Sequence, residues 1–250
     1  MSNESYDSIT KAQEVVIEAC QIIFMEGLYS GAGHGHPSAK IPGTNLIVMP
    51  GHVHEEGKGM GDIVSPAQLI CVDTSGKKVW GELDPVEAMA SHLAIYRRRP
   101  DVGGVCYLHP RYCSIFCVAG QEMIPVIAGM FEKVGLIDTG SSSGRAGRSP
   151  EQAAKIAEAL GKASAILIRP FLTLMTVGRN LEEAVYLAHV AEKNAWLLAN
   201  AQSIFGKAEE FTAPAEYAQD YRLDHANMMW GFWKRKLSLL KQRGDYIHTR

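Results

Sequence analysis

The stretch PVEAMASHLAIYRRRPDVGGVCYLHP, residues 85–110, contains the helix and strand signals that indicate the fold most clearly. Asp84, Pro85 and Glu87 have the order of an N-cap, a first-turn proline and a capping-box carboxylate, which predicts a helix that begins here. The apolar residues within 103–108 then predict a buried strand. A helix followed directly by a buried strand is typical of α/β proteins.

Helix and strand patterns alternate on both sides of this stretch. Strands are predicted at residues 45–49, 70–73, 77–80 and 165–168. Helices are predicted over residues 8–25 and 214–242 and after the capping residues Ser65, Ser149 and Asn180. Because no linker or repeat interrupts the chain, we predict a single domain over residues 1–250, with a helical C-terminal extension from about residue 212.

The overall composition is that of an ordinary globular protein. Hydrophobic residues make up 46% of the chain, and the formal net charge is −2 with Lys and Arg spread along it, so nucleic-acid and membrane partners are not expected. The apolar stretches are too short to span a membrane, and the polar N-terminus has no signal-peptide pattern. The five cysteines are expected to be reduced, buried thiols. These features predict a soluble cytoplasmic protein.

Three segments together resemble the class II aldolase/adducin family and are closest to its aromatic-acid decarboxylase branch. They are residues 35–40 (GHPSAK), residues 85–110 and residues 165–184. The resemblance implies a three-layer α/β/α fold with a central mixed, largely antiparallel sheet. It also implies a homo-oligomer, a tetramer or higher, with sites at subunit interfaces. The cofactor of the family is a divalent metal (Zn, Mn or Fe) that acts as a Lewis acid during carbon–carbon cleavage.

The positions at which the family holds its metal are mostly changed in this chain. Ala88 falls where the family has a glutamate, Tyr107-Leu108-His109 replaces a His-x-His pair, and Phe171 and Leu172 stand in the region of the third histidine. His109 is the one matching ligand, and a single imidazole does not hold Zn²⁺ or Mn²⁺ tightly. The resemblance therefore predicts a degenerate metal site, with the presence of a metal left open.

Three residues are candidates for catalysis. His109 follows the predicted strand, and Tyr107 shares its face by the two-residue strand period. An imidazole can transfer a proton, and a phenol can donate a proton or a hydrogen bond to a developing oxyanion. Glu87 is a candidate replacement acid, although its capping-box position favours a structural role. A purely structural role is the alternative for each of them.

The segment around residue 36 is a candidate for ligand binding. The resemblance implies that His36, Ser38 and Lys40, together with Arg169, contact a carboxylate or phosphate of the substrate. An ordinary exposed turn and strand is the alternative. A separate hypothesis is a relocated metal site, because the pairs His34/His36 and His52/His54 could each present two imidazoles on one face of a strand and combine with His109.

The resemblance leads to one preferred function and two alternatives. We expect a lyase-like enzyme that performs decarboxylase-type or aldolase-type carbon–carbon cleavage, or a related proton transfer, on a small oxygenated carboxylic acid or ketone. One alternative is a catalytically inactive family member that acts as a binding or structural subunit. The other is a relative of the non-heme-iron oxygenases, which would need a metal.

Overall fold

The computed structural model describes residues 9–29, 35–52, 59–127, 133–140, 149–169, 171–205 and 222–246. The helices are α1 (Ile9–Met25), α2 (Met89–Arg98), α3 (Arg111–Ala119), α4 (Pro150–Leu160), α5 (Leu181–Phe205) and α6 (Arg222–Arg243). The strands are β1 (His36–Lys40), β2 (Leu46–Pro50), β3 (Leu69–Asp73), β4 (Lys78–Trp80), β5 (Gly104–Leu108), β6 (Gly135–Ile137), β7 (Ala165–Ile168) and β8 (Thr173–Gly178).

The strands form one sheet in the order β4-β3-β2-β1-β5-β8-β7-β6. Six of its seven pairings are antiparallel, and β6 pairs with β7 in parallel. The prediction of a central mixed, largely antiparallel sheet is therefore confirmed. The strands predicted at residues 70–73 and 77–80 correspond to β3 and β4, which pair antiparallel as a hairpin.

Helices cover both faces of the sheet. On one face, α1, α3, α5 and α6 pack on side chains that include Cys106 and Leu108 of β5. On the other, α2 and α4 pack on side chains that include Val105 and Tyr107 of the same strand. Alternate residues of β5 thus enter two separate cores, as the pleat of a strand requires. The result is the predicted three-layer α/β/α arrangement.

Two of the four predicted helix starts, at Ser149 and Asn180, are confirmed as starts of α-helices. The Ser149 hydroxyl accepts a hydrogen bond from the backbone of Gln152 at 3.2 Å at the start of α4. The side-chain Oδ1 of Asn180 accepts one from the backbone of Glu183 at 2.9 Å at the start of α5. The cap at Ser65 opens only a single 3₁₀ turn, because the chain continues directly into β3.

The predicted helix start at Asp84 is wrong. Helix α2 begins at Met89, and its N-cap is Ala88, which makes no side-chain capping bond. The backbone before it is engaged elsewhere: Pro85 forms a bridge with Gly51, and the Asp84 carbonyl accepts from the His52 backbone at 2.8 Å. Long-range pairing with the segment after β2 therefore overrides the local capping signal.

Two further sequence expectations concern the cysteines and membrane-spanning helices. All five cysteines are free and buried, as expected. Within the described part of the chain, no helix combines the length and the apolarity that crossing a bilayer requires.

The close approach of β5 to the start of α5 leads to a stability prediction. A Cβ added at Gly104 would lie 2.4 Å from the Leu181 Cα and 2.5 Å from the Asn180 carbonyl oxygen. Gly104→Ala must push the strand and the helix apart, so we expect the free energy of unfolding to fall by about 1–3 kcal/mol. Urea denaturation measures this change.

Gly231→Ala in α6 is the matched control, because a Cβ there meets no atom within 4 Å. Replacing a helical glycine by alanine in open space should raise the free energy of unfolding by roughly 0.5–1 kcal/mol. Equal effects of the two substitutions would contradict the close approach of β5 and α5.

Candidate active site

Three strands bring an aromatic and imidazole cluster together at one end of the sheet. His36 of β1 pairs with Tyr107 of β5, and their rings stack with centroids 5.3 Å apart. His109 lies just beyond β5, with its ring edge-on to Tyr107 at 5.5 Å between centroids. The predicted site residues His36, Tyr107 and His109 are therefore neighbours on the face covered by α2.

Thr173, at the start of β8, lies near both Tyr107 of β5 and His109 just beyond it. The pairing of Leu108 with Leu174 brings Thr173 beside His109, and the Thr173 Oγ1 lies 3.5 Å from the His109 Nδ1. The Thr173 side chain is also near enough to the Tyr107 phenol to influence its pKa. Tyr107 and Thr173 are buried, whereas His109 is partly exposed. His109 is thus the member of this group that a ligand from solvent can reach most directly.

A chain of buried hydrogen bonds lies behind His36. The His36 Nδ1 is 3.0 Å from the Nε2 of His92, and the His92 Nδ1 is 2.7 Å from the Ser38 hydroxyl. The Ser38 hydroxyl is in turn 2.9 Å from the Tyr96 hydroxyl. His36 is 8% exposed, Tyr96 2%, and Ser38 and His92 are fully buried. His92 of α2 is buried, and the connection from Tyr96 through it to His36 is not evident from the sequence.

Burial determines the charge state of this cluster. It lowers the pKa of His36 to about 3, with the nearby His109 adding to the shift. It also lowers the pKa of His92 well below the ordinary value, with His36 adding to that shift. Burial raises the pKa of the Tyr107 phenol, and the Thr173 side chain offsets part of the increase. Near neutral pH the site therefore presents two neutral imidazoles and a protonated phenol.

Glu87 and Ala88 lie on the segment that enters α2. Pro85 is bridged to Gly51, and continuing the register of β1 and β2 places Gly51 beside His36. This segment therefore passes the same end of the sheet as His36. Glu87 is exposed, whereas Ala88 is buried in the same core cluster as Tyr107.

Three predicted ligand-binding residues are not brought together with His109. Lys40 is four residues from His36 along β1, about 13 Å at the strand rise, and its backbone bonds to Gly103 at the far end of β5. The Ser38 hydroxyl is committed to His92 and Tyr96. Arg169 is half-exposed, 3.8 Å from the Asp138 carboxylate and beside Gly120 at the end of α3, on the other face of the sheet.

The far end of the sheet has a cavity of about 340 Å³. It is lined by Arg99, Asp101, Val102, Ser164, Val177, Gly178, Arg179, Glu183 and Arg222. Two of the three guanidinium groups already bind carboxylates, since Arg99 pairs with Asp101 and Arg179 with Glu183. Ion pairing within the protein therefore accounts for most of the charge in this cavity.

Comparison with known proteins places the chain in a family. The family model of the class II aldolase and adducin N-terminal domain matches residues 14–198. The chain belongs to the class II aldolase and adducin family. This membership confirms the resemblance and supports the predicted enzyme class, a carbon–carbon lyase of class II aldolase type. The decarboxylase-like branch, the oligomeric state and the cytoplasmic location stay predictions.

Individual relatives agree with this assignment. An L-fuculose phosphate aldolase of Methanococcus vannielii is 26% identical over 185 residues, which cover 72% of this chain and 92% of that protein. An L-fuculose 1-phosphate aldolase structure has a TM-score of 0.70 at 18% identity and covers 92% of this chain and 99% of its own. An aldolase II superfamily protein from Pseudomonas syringae has a TM-score of 0.70 at 18% identity, covering 98% of this chain and 97% of its own.

The described residues of this class II aldolase family member do not form a complete donor set for the metal that the family resemblance implies. Within the described ranges, no group of three His, Cys, Asp or Glu side chains is placed to hold an ion. The nitrogens of His36 and His92 are 3.0 Å apart, but they face each other in a hydrogen bond. His34 and His54 of the relocated-site hypothesis lie outside the described residues, and His52 contacts Asp84 through its backbone.

The two buried histidines predict a specific dependence of stability on pH. The unfolded chain protonates His36 and His92 near the ordinary value of 6.5, whereas the fold keeps both neutral. Unfolding therefore takes up protons below pH 6.5, and stability must fall as the pH falls towards the folded-state pKa of His36, about 3. Each histidine contributes up to about 1.4 kcal/mol per pH unit.

Urea denaturation at several pH values between 5 and 7 measures this slope. A His92→Asn variant keeps a hydrogen-bonding side chain but does not titrate, so its slope should be flatter. His189, whose pKa is also lowered by burial, contributes with the same sign in both proteins. Identical slopes for the wild type and the variant would rule out a neutral, buried His92.

Proposed function

We propose that the chain is a lyase that cleaves a carbon–carbon bond in a small oxygenated carboxylic acid or ketone. The observation that carries this proposal is the contact of Tyr107 with both His36 and His109 at the end of β5. The proposal includes decarboxylase-type and aldolase-type cleavage, and a related proton transfer, because these reactions pass through similar anionic intermediates.

Tyr107 and His109 have complementary chemistry for such a reaction. A phenol whose pKa is raised by burial stays protonated, so Tyr107 can donate a hydrogen bond to the oxygen on which negative charge develops. His109 is partly exposed and has an imidazole nitrogen near the Thr173 hydroxyl. It is positioned to exchange a proton with a substrate that enters from solvent.

The donor set also limits the substrate. The described residues do not provide three metal ligands. The proposal therefore assigns stabilisation of the negative charge of the intermediate to hydrogen bonds and to the substrate itself. A β-keto group or an aromatic ring supplies such an electron sink. This consideration favours a substrate that delocalises charge over a simple aliphatic acid.

Substitution of the two residues tests their roles separately. We expect His109→Ala to lower kcat by about 10²- to 10⁴-fold, the range typical of a lost acid–base group. Tyr107→Phe keeps the ring stacked on His36 but removes the hydroxyl, so kcat should fall about 10²-fold. Suitable assays measure aldehyde or carbon dioxide release from a panel of hydroxy acids, keto acids and sugar phosphates. The panel includes L-fuculose 1-phosphate because a structurally similar protein is named L-fuculose 1-phosphate aldolase.

His225→Ala is the matched control, because His225 is an exposed histidine of α6, a helix that packs on the opposite face of the sheet. Its turnover should equal that of the wild type. Wild-type turnover by His109→Ala would remove His109 from the mechanism.

Metal removal gives an independent prediction. Because the described donors are too few for a tight site, we expect turnover to survive dialysis against a chelator. Metal analysis of protein purified without chelator should show less than one equivalent of Zn, Mn or Fe. A stoichiometric metal whose removal abolishes turnover would contradict the proposal and revive a relocated site.

A catalytically inactive binding subunit is the second candidate. It is favoured by buried Ala88 where the family has a glutamate and by apolar Leu172 in the region of the family's third histidine. A ligand that binds and perturbs the Tyr107 and His109 resonances, without turnover of any panel compound, would support this candidate.

A further inference from the structure

We propose that Tyr96, Ser38 and His92 form a positioning chain that fixes His36 as its Nδ1–H tautomer and leaves its Nε2 as a hydrogen-bond acceptor at the candidate active site. The effect of this tautomer on the substrate rests on the proposed function. The tautomer itself follows from hydrogen-bond geometry. It assigns roles to three residues that do not touch Tyr107 or His109 themselves.

The geometry of two elements makes the chain possible. His92 and Tyr96 are four residues apart on α2 and therefore share one face of the helix. His36 and Ser38 are two residues apart on β1 and share one face of the strand. These two faces meet in a buried position, so each polar group must find its partner within the protein.

The direction of the chain follows from its outermost hydrogen bond. The Tyr96 hydroxyl lies 3.0 Å from the backbone carbonyl of Ser38, and a carbonyl oxygen can only accept. Tyr96 therefore uses its single proton for this bond. In its second contact, at 2.9 Å, the Tyr96 oxygen must then accept a proton from the Ser38 hydroxyl.

The remaining protons are then determined one after another. Because the Ser38 hydroxyl donates to Tyr96, its oxygen accepts from the Nδ1–H of His92 at 2.7 Å. A neutral imidazole has one N–H, so the His92 Nε2 is an acceptor. The His36 Nδ1 at 3.0 Å must consequently carry the proton that it donates to His92. The Nε2 of His36 is left with its lone pair.

This reasoning requires His36 and His92 to be neutral. Burial lowers the pKa of both histidines and so favours their neutral forms. The opposite direction would require the single Tyr96 proton to serve the Ser38 carbonyl and the Ser38 hydroxyl at once. Its two acceptors, at 3.0 and 2.9 Å, would then share one donor. In the proposed direction, each of the four hydrogen bonds has its own proton donor.

The tautomer narrows the class of substrate. A neutral His36 with a lone pair on Nε2 accepts hydrogen bonds, so it repels a carboxylate or phosphate oxygen and favours a hydroxyl group. His36 therefore suits a substrate that carries a hydroxyl next to the reacting centre, beside the Tyr107 donor. This differs from the anion-binding role that the sequence suggested for His36.

Nitrogen NMR of imidazole-labelled protein tests the inference directly. In the wild type without substrate, we expect the His36 Nδ1 to have the shift of a protonated nitrogen and the Nε2 that of an unprotonated one. In Tyr96→Phe, the Ser38 hydroxyl loses its acceptor and turns to the His92 Nδ1. The chain then reverses, and the His36 proton should move to Nε2.

Tyr186→Phe is the matched control, because Tyr186 is a buried tyrosine in the core on the other face of the sheet. It should leave the His36 tautomer unchanged. A wild-type His36 that carries its proton on Nε2, or a tautomer that does not respond to Tyr96→Phe, would overturn the inference. The wild-type spectrum decides the question even where the variant does not fold.

Activity provides the second readout. With a hydroxyl-bearing substrate, Tyr96→Phe should lower kcat/KM by about tenfold, comparable with the loss of an orienting partner, whereas Tyr186→Phe should not. A correct tautomer in a protein with no turnover would preserve this inference and contradict the proposed function. The wrong tautomer in an active protein would contradict this inference and leave the proposed function standing.

Discussion

The pairing of β1 and β8 with the central strand β5 is the constraint on which the site depends. It places His36 opposite Tyr107 and Leu174 opposite Leu108, so that His36, Tyr107, His109 and Thr173 meet on one face. Side chains alternate along a strand, so a slip of one residue would turn Tyr107 into the other core. The site therefore cannot exist without this register, and the apolar residues of β5 that fill both cores hold the register in place.

The polar groups behind the site are compatible with a stable core because they bind one another. Ser38 and His92 are fully buried, and each has hydrogen-bond partners on the neighbouring element. A buried polar group without a partner costs about 1–3 kcal/mol, so a broken link would weaken the packing of α2 on β1. The same network that satisfies the core thus holds the His36 imidazole in place beside Tyr107.

The sequence predicted the layers of this fold well because local signals and burial agree along most of the chain. The caps at Ser149 and Asn180 and the apolar strand before His109 each specify an element without reference to distant residues. The capping signal at Asp84 failed because its backbone pairs with the segment after β2, about 30 residues earlier in the chain. Only tertiary structure reveals that competition.

The site was predicted in part for a similar reason. The two-residue strand period was enough to group Tyr107 with His109, and the family resemblance drew attention to residue 36. Strand direction places Lys40 at the far end of β1. The packing of α2 on β1 brings His36 to His92, which is 56 residues away in the sequence. Neither could be predicted from local sequence. The spacing of His92 and Tyr96 was visible in the sequence, but nothing local showed what their shared face would meet.

The most direct measurement of the central claim is the position of a bound substrate or co-purified ligand in a crystal structure. We expect ligand oxygen atoms within hydrogen-bond distance of the Tyr107 hydroxyl and the His109 imidazole. A ligand bound instead in the cavity lined by Arg99, Arg179 and Arg222 at the opposite end of the sheet would contradict the assignment of the active site.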